Sequence, residues 1–219
     1  MKRTALTAAL AALLMSSGCL QKDTTSTVYL RDDGSFDWVV LERNVRSDEA
    51  DAPARAREEA DWIESVGRGE HGVAAGFRAL GAENVDVRWL RASRPYAVMA
   101  TGSFDSLTEV FERFLTRCAV PHEVGMAPEG DTMTWRLLID TGPDGELLTG
   151  DQDGCDSGLD GLADALSATV VLESGRFTGA TGFKLQAPDT AAYDEEAVRR
   201  EAEAGGIVEL SLTWVVSPR

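Results

Sequence analysis

Val208, Leu210, Leu212, Trp214 and Val216 place an apolar residue at every second position near the end of the chain, with Glu209, Ser211 and Thr213 between them. Side chains on a strand point alternately to the two faces of a sheet, so this pattern specifies a β-strand with one face buried. Such a strand needs neighbours for its backbone N–H and C=O groups. It is expected to be paired inside a sheet, and the rest of the chain must supply the partners.

Partners are legible upstream. Val28 and Leu30, then Asp32-Asp33-Gly34-Ser35, then Phe36, Trp38 and Val40 read as a β-hairpin beginning at Thr27, with Gly34 supplying the positive φ of a tight connection. Val85, Val87 and Trp89 alternate with Asp86 and Arg88, and after Arg94-Pro95 the segment Tyr96, Val98, Ala100 continues extended, giving a second pair. Alternation returns at Trp135, Leu137 and Ile139, at Thr169 to Leu172 and over Phe177 to Leu185.

Helical periodicity separates these pairs. Pro53 opens a helix after Asp51, with Ala56, Ala60, Ile63 and Val66 on one face, Arg55, Arg57, Glu58 and Glu59 on the others, and Gly67 at the end. A shorter helix is expected from His71 to Leu80, stopped by Gly81. Ser106 and Glu109 have capping-box spacing ahead of the apolar stripe Leu107, Val110, Phe111, Phe114, Leu115 and Cys118. Strand pairs alternating with helices indicate an α+β fold: a mainly antiparallel sheet built from hairpins, with three or four amphipathic helices packed on one face. Residues 27–219 are expected to form one domain, divisible into ββα-like halves 27–118 and 119–216, with no residue-level repeat. Residues 187–206 are acidic and poor in apolar positions, and read either as a helix from Asp194 to Ala204 or as an insertion loop.

The start of the chain speaks to address. Met1-Lys2-Arg3 precedes an apolar and small run from Ala5 to Met15, then Ser16-Ser17-Gly18-Cys19. The run is too short for a permanent bilayer span, and a charged start, short apolar core and small residues before a cut are what the secretion machinery reads. This segment resembles the signal of a bacterial lipoprotein precursor, although Ser16 stands where that class usually has Leu. The resemblance covers Met1 to Cys19 only. It implies a signal peptide at residues 1–18, lipidation of Cys19 and a tether at residues 19–26. It also implies a membrane partner reached through lipid alone, and Leu20 after the cysteine favours the outer membrane over the inner. The other reading is an ordinary cleaved signal with Cys19 incidental.

Loss of Lys2 and Arg3 with the signal takes the formal charge from −16 to −18, which should repel nucleic acid and anionic headgroups. Hydrophobic content of 43% supports a packed core. Cys118 and Cys155 then form an even pair in a compartment that permits disulfides, as a bridge or as two separate buried thiols.

Catalytic signatures are missing. His71 and His122 are the only histidines, neither lies in an HExxH pattern, and each reads as a surface or locally bonded histidine. No GxSxG, GxxxxGK[ST] or strand-following GxGxxG occurs, so no cofactor and no catalytic residue is assigned. Asp151, Asp153 and Asp156, in the acidic Gly-rich loop 150–161, are calcium candidates. Cys155 nevertheless occupies a ligand position of the calcium-loop pattern, and Leu159, Leu162, Ala163 and Leu166 read as one face of a capped helix. Trp38, Trp62, Trp89, Trp135 and Trp214 would make a binding platform only if two shared an exposed face; four of them lie in strand alternation, which indicates packing. Arg88, Arg91 and Arg94 form a local positive patch, for an anionic ligand or for pairing with neighbouring acids. The expectation is a non-enzymatic envelope lipoprotein that binds a partner protein or envelope component. The alternative is a small-ligand or Ca²⁺-binding lipoprotein using loop 150–161.

Overall fold

The computed structural model describes residues 20–117, 120–142 and 167–216. Among them run β1 (Leu20–Leu30), β2 (Phe36–Ser47), α1 (Ala52–Gly67), α2 (Gly72–Ala79), β3 (Glu83–Arg91), β4 (Tyr96–Phe104), α3 (Leu107–Arg117), β5 (His122–Glu129) and β6 (Thr132–Asp140). There follow β7 (Ala168–Leu172), β8 (Arg176–Thr181), β9 (Phe183–Ala187), β10 (Thr190–Tyr193), α4 (Glu195–Glu203) and β11 (Ile207–Val215). The fold is α+β, as the periodicities require, but its strands form two sheets rather than one. The first has the order β3-β4-β2-β1-β7-β10-β9, the second β5-β6-β11-β8.

β11 lies between β6 and β8, antiparallel to both, so its ladder groups are satisfied on either side. Its Val208, Leu210, Leu212 and Trp214 are all buried. The β1–β2 connection turns at Gly34, φ +84°, where Gly34 N–H donates to the Arg31 carbonyl over 3.0 Å. α1 is capped as its sequence proposes: Asp51 accepts from Ala54 N–H at 2.9 Å, and proline stands in the first turn.

Three differences from the sequence reading have physical causes. β1 begins at Leu20 rather than Thr27, because cross-strand bonds from Asn44 to Asp23 and from Arg46 to Gln21 hold its polar residues on β2. β7, β9 and β10 join the first sheet through the parallel pairing of β1 with β7, from Ser26 with Ala168 to Leu30 with Leu172, so the sheets do not follow a division at residue 118. Residues 187–206 hold the helix read from Asp194 to Ala204, here α4 with Asp194 as its cap, but also β10, which the sequence reading did not give.

Two compact units emerge. One comprises residues up to Thr24, Leu41–His71 and Val87–Met99; the other comprises Thr25–Val40, Gly72–Asp86 and Ala100–Arg219. Val45, Val66 and Val98 are core residues of the smaller unit. The larger is built on Phe36, Leu115, Trp135, Leu137 and the buried face of β11. No helix among the described residues is long and apolar enough to cross a membrane.

Candidate functional site

The smaller unit contains a buried charge cluster. On β2, residues 40, 42 and 45 turn inward, and position 42 is a glutamate, 1% exposed. A lone carboxylate there would carry a large desolvation cost. His71, which follows α1 and is 2% exposed, meets it with Nε2 at 2.8 Å from Oε2. Lys22 of β1 donates Nζ–H to the other oxygen at 2.6 Å. Burial pushes the Glu42 carboxyl upward, but the bonds from His71 and Lys22 together outweigh it and hold the group below its ordinary range. His71 Nδ1 is buried with no partner among the described residues. The ring edge of Trp62 closes the other side, with centroids 6.2 Å apart at 72°.

In the same unit a second carboxylate turns inward. Glu59 of α1, expected on a solvent face, is 4% exposed: it accepts Ser47 N–H at 3.4 Å and Arg94 Nε–H at 2.6 Å. Glu58 takes the Ser47 hydroxyl. Arg94 of the positive patch is thus paired to a helix acid, not to a strand acid. Trp62, Trp89 and Tyr96 complete the unit, Trp62 meeting Trp89 edge-on at 5.5 Å and Tyr96 at 5.9 Å. Trp89 and Trp62 satisfy one another rather than presenting parallel faces to a ligand.

The Glu42 carboxylate and the His71 ring are in hydrogen-bond contact, with side chains only 2% and 3% exposed. His71 is therefore a buried, paired histidine, which corrects the surface reading; nothing in the sequence around it signals a partner on β2. His122 is locally bonded as expected, to the Val120 carbonyl at 2.6 Å and to Glu112 at 3.2 Å.

In the larger unit, an apolar cavity of about 30 Å³ lies among Phe36, Trp38, Phe111, Trp135, Val170 and Leu212, room for little more than a water molecule. An open depression of about 530 Å³ along α4 is lined by ion pairs, Lys184 with Asp194 at 2.9 Å and Arg199 with Glu195 at 2.6 Å. Trp135 and Trp214 are fully buried, which removes them from any platform. Among the described residues no three His, Cys, Asp or Glu side chains are placed to hold a metal. Cys19, Cys118, Cys155 and the calcium candidates Asp151, Asp153 and Asp156, with the whole loop 150–161, lie outside the described residues.

No protein-family model and no curated protein sequence matches the chain. Among solved structures it is similar to the folded domain of the Mycobacterium tuberculosis protein LppM, determined by NMR. The two are 10% identical, with 90% of this chain and 91% of that one covered, at a TM-score of 0.38. A likeness of that size carries no argument about what this chain does.

Proposed function

We propose that the protein is a non-enzymatic binding module of the bacterial cell envelope, held to a membrane by lipid on Cys19, that engages a partner protein or envelope component through its exposed surface. The observation that carries the reading is the closure of the Glu42–His71 pair: the strongest acid–base constellation among the described residues is spent on holding β1, β2 and the end of α1 together. Further support comes from the apolar cavity of the larger unit, which is too small for a ligand. What such a molecule offers a partner is surface, and large apolar side chains do stand out on it: Ile207 is 67% exposed and Leu185 47%.

The test of the anchor is the intact mass of the protein extracted from native membranes. Loss of residues 1–18 with a lipid-sized increment on Cys19, together with release of a Cys19→Ala variant into the soluble fraction, is the expected result. An unlipidated mass with a free Cys19 thiol overturns the anchor. An enzymatic role would instead show as loss of a turnover assay in both Glu42→Gln and His71→Asn under conditions where each remains folded.

A further inference from the structure

We propose that the tip of the β3–β4 hairpin, Trp89-Leu90-Arg91 and Arg94-Pro95-Tyr96, is a bilayer-contacting element that seats in the boundary between lipid headgroups and acyl chains. The idea rests on the anchored reading above and adds which face meets the lipid. Three independent features converge on it.

The first is position. β1 starts at Leu20, directly after Cys19 in sequence, and this end of β1 belongs to the same compact unit as residues 87–99. The connection is physical: Lys22 bonds Glu42, Glu42 bonds His71, His71 packs on Trp62, and Trp62 packs on Trp89 and Tyr96. An anchor at Cys19 has no slack before the fold begins, so this unit is the part of the molecule that lipid on Cys19 holds at the membrane.

Charge is the second. From Leu20 on, the smaller unit carries nine Lys and Arg against ten Asp and Glu, a net of −1, out of the −18 that remains after loss of the signal. The larger unit carries the other −17. The repulsion from anionic headgroups expected of the whole chain therefore does not apply to this unit, whose hairpin bears Arg88, Arg91 and Arg94. Glu59 pairs with Arg94, whose side chain stays 58% exposed, and Arg91, exposed at the end of β3, donates to the Pro95 carbonyl over 3.5 Å.

The third is the chemistry of the tip itself. β3 is an edge strand, and Leu90 near its end is an apolar side chain that is 53% exposed. Strand alternation puts Leu90 on one face and Trp89 and Arg91 on the other, so an end-on approach offers both. Trp and Tyr rings are suited to the headgroup level, Leu to the acyl boundary, and an Arg stem can lie along apolar surface while its guanidinium meets phosphate.

The experiment decouples the tip from Cys19. The chain from residue 19 on, with Cys19→Ala and an N-terminal hexahistidine tag, is held on vesicles containing a nickel-chelating lipid and phosphatidylcholine brominated in its acyl chains. Tryptophan emission is compared with that on unbrominated vesicles. Insertion should give a partial quench, on the order of the share of one tryptophan in five, that disappears in Leu90→Asp and falls in Trp89→Phe. Leu90 is half exposed, so Leu90→Asp leaves the fold intact, which circular dichroism checks. Absence of quenching, or an equal quench in Leu90→Asp, overturns the proposal. Failure of the anchor reads out separately, as an unlipidated Cys19 in the native protein.

Discussion

At the scale of single residues, the Glu42–His71–Lys22 cluster is a buried carboxylate held by two partners. Removing one partner of a buried pair strands the other, so Glu42→Ala should cost about 3 kcal/mol in urea unfolding. The cluster also sets a pH dependence. Glu42 is held below its ordinary value of 4.5, so near that pH the unfolded chain binds a proton that the folded chain does not. Its contribution is complete above about pH 4.5 and is lost as pH falls through the depressed folded value. Thermal melts between pH 3 and pH 6 should therefore flatten in Glu42→Gln relative to the parent. Tyr193 makes the opposite case. Burial, with the nearby Glu195 charge, pushes its hydroxyl up to about 12. The folded state keeps that proton while the unfolded state loses it near 10, so this stabilisation is present below pH 10 and fades as pH rises toward 12. In an absorbance titration one of the three tyrosines should ionise late, and Tyr193→Phe should remove that step.

Elements are decided by turns, caps and close approaches. Gly182, between β8 and β9, has φ +71°, and a Cβ there would stand 2.1 Å from Leu210 Cδ2 and 3.2 Å from Val198 Cγ2. Leu210 is wholly buried on β11 and Val198 is buried on α4, so neither has room to yield. Gly182→Ala should destabilise by about 2 kcal/mol, combining the strained backbone with overpacking. Gly179→Ala, whose Cβ would meet Thr213 at an ordinary 3.6 Å, is the contrast and should change melting little. At the start of α1, Asp51→Ala removes the acceptor for Ala54 N–H and should cost about 1 kcal/mol. These elements were legible because their signals are local. The Asp51-x-Pro53 start, the Gly34 turn and the alternation of β11 each involve residues within a few positions of one another. Glu59 was misplaced for the same reason: helical spacing puts it on a polar face, and only Arg94, a hairpin away in the chain, makes burial tolerable.

Charge is unevenly divided at the scale of the whole molecule. With −17 on the larger unit, self-repulsion opposes its folding, and screening should relieve it. Raising salt from about 0.01 M to about 1 M shortens the screening length from roughly 30 Å to roughly 3 Å, and the melting temperature should rise across that range. A melting temperature independent of salt would mean that local ion pairs such as Arg136 with Glu209 at 2.8 Å already compensate the excess. The same division has a functional side: an overall acidic composition argued for repulsion from anionic lipid, whereas the fold gathers nine cations into one nearly neutral unit.

The sequence by itself determined the α+β class, the terminal strand's need for neighbours on both sides, and most helix and strand identities, since periodicity and turn chemistry act between near neighbours. It also carried the lipoprotein-like start. Only the tertiary structure decided that strands divide into two sheets, that β1 pairs in parallel with β7, and that Glu42 finds His71 twenty-nine positions away. Those outcomes depend on register and chain path between distant segments, where each apolar or charged residue has many acceptable partners and only packing the whole core selects one.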